Sequence, residues 1–348
     1  MSDTRIGDVV SGRYRITAPL AAGAMGMVYR GERTALGRPV AIKFLHAAIA
    51  SDPIVRARFE GEARAASKMN HPNVVGVIDC GMHRGVPFVV MELVHGKTLR
   101  EILDGGAIST ARALRIVHQI LAGLAHAHAH GVIHRDLKPE NILVRTDAMG
   151  EHAQIADFGL AKRLDAIGIS HDQAIGTPSY MSPEQTLGAP VDARSDLYAI
   201  GVMLFELLAD RKPFHSPYMF ETLRMQREAP VPYFADVAPE RHVPPELEGV
   251  VRRALEKEPD DRFRSAGDFA VALDDALVSA HERSDDIDVS ELLAASKHRR
   301  RWRYVAALAA FIAICYLARA QLVEAVATLD GSFDTTPHEL DVDQSPGR

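Results

Sequence analysis

Apolar positions in the first part of the chain gather in short, β-branched runs at residues 14–16, 28–32, 40–43 and 88–91, the pattern of strands. From about residue 98 to 278 the apolar spacing lengthens to a helical period, and no internal repeat is evident. Strands first and helices later predict an α+β protein with two unequal lobes, the first ending near residue 94. Residues 229–245 carry five prolines and read as an extended loop between helices, because helical periodicity resumes at Leu247.

The pattern changes beyond residue 278. Residues 279–303 hold an acidic cluster at Asp285, Asp286 and Asp288 and a basic one at Lys297, His298, Arg299, Arg300, Arg301 and Arg303, as in a linker beside an anionic surface. The next fifteen residues, 304–318, carry no charge. As a helix they span only about 22 Å, short of the roughly 30 Å bilayer core. The deficit closes if Arg319 snorkels and the helix continues to Val323, with Trp302, Tyr304 and Tyr316 at the interfaces. We expect a single membrane span over residues 304–323; a buried or amphipathic terminal helix is the alternative. The Lys and Arg excess before the run would keep the N-terminal part inside. Residues 324–348 form an acidic tail too short to fold alone into a sensor domain.

With 348 residues, 47% apolar content and a net charge of −6, the chain can bury a large core and has no whole-chain basic field. Those values exclude general disorder and argue against nucleic acid as a partner. Its two cysteines, Cys80 and Cys315, lie far apart, so neither a disulfide framework nor a thiolate metal cluster is expected. The first residues lack a basic stretch followed by a signal-length apolar run, which places the N-terminal part in the cytoplasm.

Candidate chemistry begins in the small-residue turn Leu20-Ala21-Ala22-Gly23-Ala24-Met25-Gly26-Met27-Val28. Such a turn lets backbone N–H groups approach phosphates that side chains at Gly23 and Gly26 would block, although any flexible hairpin gives the same pattern. Val40-Ala41-Ile42-Lys43 then sets one lysine in an apolar strand, where its ammonium needs an anion, either phosphate or carboxylate. With Phe59 at zero on a helical wheel, Ala63, Ala66 and Met69 fall between about 40° and −80°, Glu62 near −60° and Glu60 near 100°. Glu62 therefore faces inward and Glu60 does not.

The most informative passage is His134-Arg135-Asp136-Leu137-Lys138-Pro139-Glu140-Asn141, followed sixteen residues after Asn141 by Asp157-Phe158-Gly159. Through it the chain resembles the eukaryotic-like serine/threonine protein kinase family, and more closely its bacterial branch, across about residues 14–278. The resemblance implies a bilobal protein kinase fold, with a small mainly β N-lobe carrying one key helix and a larger mainly α C-lobe. It also implies transfer of the ATP γ-phosphoryl group to Ser or Thr hydroxyls of proteins, in bacterial signalling. Asp136 would accept the substrate hydroxyl proton and Lys138 would steady the moving phosphoryl group. Asn141 and Asp157 would hold magnesium, with manganese as the other candidate, because a hard cation must offset the triphosphate charge. Lys43 and Glu62 join them as catalytic candidates. The turn departs from the family pattern in having Ala21 where the first glycine is expected, which we read as tuning nucleotide affinity.

The same resemblance assigns the adenine site to the strand at residues 88–91 and the linker Glu92-Leu93-Val94, whose backbone would pair with the purine edge. Val28, Ala41 and Leu143 would lie above and below the ring, with Met91 behind it and Leu20 in the turn. Gly96-Lys97-Thr98 resembles the end of a P-loop, but position 91 is Met where that motif requires Gly. Lys138 and the segment Gly176-Thr177-Pro178-Ser179-Tyr180-Met181-Ser182-Pro183-Glu184 resemble enzymes acting on Ser or Thr, with Thr177 bonded to Asp136 and Lys138. Glu184 would pair with Arg262, and Asp196 would brace the catalytic loop.

Arg135 would read a phosphate on the activation segment. Autophosphorylation is then expected at Ser170, the only hydroxyl between Asp165 and Ile175, with Thr177 second. Of His126, His128 and His130, at most the first and last share a helix face, and we read them as packing, not as metal ligands. A nucleotide-binding scaffold without transfer activity is the alternative function, and the sequence leaves a homodimer open.

Overall fold

Alternation along one strand organises the first lobe. In the computed structural model, which describes residues 5–23, 26–158 and 178–283, six antiparallel strands form one sheet in the order β1-β2-β3-β4-β6-β5. They are β1 (Val9–Val10), β2 (Tyr14–Ala22), β3 (Gly26–Arg33), β4 (Arg38–Leu45), β5 (Val77–His83) and β6 (Val86–Glu92). On β4, Val40, Ile42 and Phe44 enter one apolar cluster with Tyr29, Phe88 and Val90. Ala41 and Leu45 enter the other, with Phe59, Ala63, Val89 and Met91. The period-two division sends Lys43 to this second face.

Helix α1 (Ala47–Ala50) is a single turn, and α2 (Pro53–Ala66) covers the second face. Asp52 caps α2 by accepting the N–H of Ile54 at 2.8 Å. Pro53 follows at the first helical position, where a missing N–H removes no bond. Val55, Phe59, Ala63 and Ala66 form the buried stripe, as the helical wheel requires.

The second lobe begins with a three-stranded sheet of β7 (Lys97–Thr98), β8 (Ile142–Asp147) and β9 (Gly150–Ile155). Its helices are α3 (Leu99–Asp104), α4 (Thr110–Ala129), α5 (Pro183–Thr186), α6 (Ala193–Ala209), α7 (Met219–Glu228), α8 (Phe234–Val237), α9 (Pro245–Ala254) and α10 (Ala266–Arg283). Helix α6 is buried at every residue from Ser195 on, the mark of a core helix. Leu121 and Leu124 of α4, Leu204 of α6, Val251 of α9 and Phe269 of α10 share one apolar cluster. Asn73, between α2 and β5, joins the lobes by donating from Nδ2 to Gln119 Oε1 at 3.2 Å and to Ala153 O at 2.8 Å.

This two-lobed α+β architecture is the one the sequence predicts, with three local differences. Strand β1 starts the sheet before residue 14. Residues 229–245 contain α8 and a 3-10 turn at Pro239–Arg241, not an extended loop. Pro239 and Pro245 sit at helical first turns, where proline is tolerated, so they begin segments that they were expected to exclude. Helix α10 runs to Arg283, beyond the expected end at 278. The candidate span 304–323 and the tail 324–348 lie outside the described residues. Among the described residues no helix is long and apolar enough to cross a membrane.

Candidate active site

The glycine turn between β2 and β3 is closed by Gly23 N–H to Gly26 O at 2.9 Å and by Gly26 N–H to Gly23 O at 3.3 Å. A Cβ on Gly26 would lie 1.9 Å from the carbonyl oxygen of Phe44, so the pressing of β3 on β4 alone forbids a side chain there. A Cβ on Gly23 would meet only Gly26 O, at 3.6 Å, an ordinary contact. Gly26→Ala should therefore destabilise the protein by about 1–3 kcal/mol through overpacking. Gly23→Ala should stay within about 0.5 kcal/mol of wild type. Thermal unfolding of the two variants side by side checks this.

Lys43 is buried, and its Nζ lies 2.9 Å from Oδ1 of Asp157. The anion that the apolar strand demands is thus present in the protein itself. Asp157 has φ of 59°, a left-handed conformation that costs a non-glycine residue about 1–3 kcal/mol. Helical geometry pointed to Glu62 as the partner of Lys43. Glu62 lies half-buried on α2 next to Ala63, and Glu60 pairs with Arg64 at 3.0 Å along the same helix.

The loop 134–141 is fixed from below by Asp196, 1% exposed on α6. Its Oδ2 accepts the N–H of His134 and Nε2–H of His128, both at 2.8 Å, and its Oδ1 accepts the N–H of Arg135 at 2.8 Å. Arg135 itself is left-handed, at φ 65°, and its carbonyl accepts Nε2–H of Gln185 at 2.7 Å. The partners of His134 fix its tautomer. Nε2–H donates to Ala156 O at 2.9 Å, leaving Nδ1 to accept the N–H of Asp136 at 3.2 Å. Its ring also packs against Phe158, with centroids 4.9 Å apart.

The Asp136 side chain is held in turn. Lys138 Nζ lies 3.0 Å from Oδ2, and Asn141 Nδ2 donates to the Asp136 carbonyl at 2.7 Å. With its amide nitrogen so engaged, Asn141 keeps Oδ1 as a ligating atom. The N–H of Ala156 bonds to Asn141 O at 2.8 Å, tying the segment that bears Asp157 to the loop that bears Asn141. An amide oxygen and a carboxylate are hard donors that suit magnesium, which usually takes one or two protein ligands and completes its shell with water and phosphate. Among the described residues no group of three or more His, Cys, Asp or Glu side chains forms a metal cage.

Beside these polar groups, Val28, Val94 and Leu143 pack against the cluster containing Ala41 and Met91. Leu20 is exposed on β2. The N–H of Glu92 is committed to Gly76 O at 2.9 Å, which takes that donor out of any purine contact. A small recess behind Met91 is lined by Ala66, Val75, Val77, Asp157 and Phe158.

Farther out, Arg262 donates to both oxygens of Glu184 at 2.8 Å, and Ser195 Oγ also donates to Glu184. Tyr180 donates to Glu206, which also accepts from Arg100 at 3.0 and 3.1 Å. Burial, with the Glu206 charge beside it, drives the Tyr180 phenol far above its ordinary range. The imidazole ring of His71 stacks on that of His126, with centroids 5.2 Å apart, and His126 meets His130 at a tilt, with centroids 4.4 Å apart. Burial, and then His126, hold His71 below its ordinary pKa. Sequence reasoning missed Gln185 and the His128 bond; the capping-box spacing from Ser182 to Gln185 was the available signal for the first. Ser170 and Thr177 lie outside the described residues.

Residues 14–270 match the family described as Protein kinase domain. The chain is 41% identical over 278 residues to the serine/threonine-protein kinase pkn2 of Myxococcus xanthus, covering 78% of this chain and 33% of that protein. It is 38% identical over 266 residues to the serine/threonine-protein kinase PrkC of Bacillus subtilis, covering 76% and 40% respectively. It is also similar to the crystal structure of the Mycobacterium tuberculosis PknI kinase domain, with a TM-score of 0.63 and 29% identity over 78% of this chain and 98% of that one. The chain spans about a third to a half of the length of the curated relatives it matches.

Proposed function

Because the chain belongs to the protein kinase family, with bacterial serine/threonine kinases among its relatives, we propose that it transfers the γ-phosphoryl group of ATP to Ser and Thr hydroxyls of proteins. The observation that carries this reading is the convergence on one loop of a fixed carboxylate, Asp136, with Lys138 and Asn141, tied through Ala156 to Asp157 and its partner Lys43.

Asp136 takes the proton of the attacking hydroxyl, and Lys138 offsets the charge of the moving phosphoryl group. Lys43 would turn from Asp157 to phosphate when nucleotide is bound, and Asp157 with Asn141 would hold magnesium. Bound magnesium supplies charge neutralisation across the phosphates. Glu62 is then the carboxylate that Lys43 can share while it holds phosphate. Adenine would lie among Val28, Ala41, Met91 and Leu143, bounded by Leu20, with the Glu92 carbonyl and the backbone of Val94 at its edge.

The kinase domain works in the cytoplasm, anchored through a single span at residues 304–323, and a homodimer is compatible with this arrangement. Arg135 reads a phosphate on Ser170 or, second, on Thr177. Phosphopeptide mapping should find these residues modified in active protein; full activity with neither modified removes that regulation. The test of the activity is chelator-sensitive incorporation of label from γ-labelled ATP, with phosphoserine and phosphothreonine recovered. Label recovered only as phosphotyrosine contradicts the assignment.

A further inference from the structure

We infer that His46 is a positioning residue, latching the β2 end of the glycine turn to β4 and thereby setting the affinity for nucleotide phosphates. The inference rests on the reading of that turn as the phosphate site. His46 directly follows β4, is exposed, and places Nε2 3.0 Å from the carbonyl oxygen of Gly23. A carbonyl can only accept, so Nε2 carries the hydrogen, as it does both in one neutral tautomer and in the imidazolium.

The two legs of the turn are held differently. On the β3 leg Gly26 pairs with Leu45 and presses on the Phe44 carbonyl, so it is fixed to β4 by backbone alone. The β2 leg is paired to β3 through Ala21 with Val28 and Ala22 with Met27 and has the turn's own bonds, at 2.9 and 3.3 Å; among the described residues its tie to β4 is the His46 side chain. Of the two hydrogens that Gly23 O accepts, the imidazole is the nearer. Both legs thus hang on the strand that carries Lys43, three residues before His46. The latch fixes the turn relative to the ammonium, and phosphates must meet both at once. A purine alone reaches only the flanks of the turn at Leu20 and Val28, and neither Gly23 nor the ammonium.

The test uses the full chain, with calorimetric binding of ATP and of adenosine beside steady-state kinetics. In His46→Ala the Kd and KM for ATP should rise about five-fold, the worth of one exposed hydrogen bond. Adenosine affinity and kcat should stay near wild type. His46→Gln, which keeps an N–H donor of similar reach, should recover most of the ATP affinity. Unchanged ATP affinity in His46→Ala overturns the latch. So does an equal loss for ATP and adenosine that His46→Gln does not rescue, because that is general destabilisation. A wild-type chain that binds ATP no better than adenosine overturns the phosphate-site reading itself, a result distinct from both.

Discussion

Arg262→Ala should cost the protein about 3–5 kcal/mol of unfolding free energy, because it strands a buried carboxylate. Arg262 is 1% exposed, and its guanidinium spends its donors on both oxygens of Glu184 and on the carbonyls of Glu256 and Lys257, the last two at 2.7 Å. A domain is stable by only about 5–15 kcal/mol, so one substitution removes a large part of the whole. Urea unfolding at neutral pH checks the value. A double replacement, Glu184→Leu with Arg262→Met, should recover much of the loss, since apolar residues of similar volume leave no charge to desolvate. The pair also sets a pH limit. Burial raises the Glu184 carboxyl, but hydrogen bonds from Arg262 and Ser195 and the Arg262 charge more than offset it, leaving the group below its ordinary range. A depressed carboxylate stabilises the fold at neutral pH, and that contribution is lost as pH falls through the folded value. Stability should therefore drop below the ordinary carboxylate range in wild type, and less so in the double variant.

Asp136→Asn should reduce phosphoryl transfer by about 10²–10⁴-fold while ATP binding and the melting temperature stay near wild type. The amide preserves the shape of the side chain and can still accept from Lys138, so the loop held by His134, Asn141 and Asp196 keeps its form. What is lost is the basic oxygen that takes the hydroxyl proton. Lys43→Met should behave differently, weakening ATP binding as well, because that residue meets phosphate. Turnover measured at saturating ATP, beside calorimetric ATP affinity, separates the two.

Much of this site was legible in the sequence because its signals are local. The alternation on β4 that buries Lys43, the stripe on α2 and the run from His134 to Asn141 are each written within one element. Of the contacts that cross the chain, the Glu184–Arg262 pair and the Asp196 brace were legible only through the family resemblance, and others were not legible at all. The close approach of Gly26 to Phe44, the tie from His46 to Gly23 and the bond from Gln185 to Arg135 join residues whose neighbours carry little sign of the partner. The pairing of Lys43 with Asp157 depends on a left-handed backbone at Asp157, which an aspartate only sometimes adopts. The prolines in residues 229–245 misled because proline both breaks helices and starts them, and only the helix register tells which.

Whether Asp136 is the base for transfer to Ser and Thr is decided by counting, by mass spectrometry, the phosphates that the purified wild-type chain and Asp136→Asn acquire with magnesium and ATP. Phosphates on Ser and Thr in the wild type, and none in a variant that binds ATP normally, is the predicted result. Equal phosphorylation of both, or none in a wild type that binds ATP normally, would contradict it.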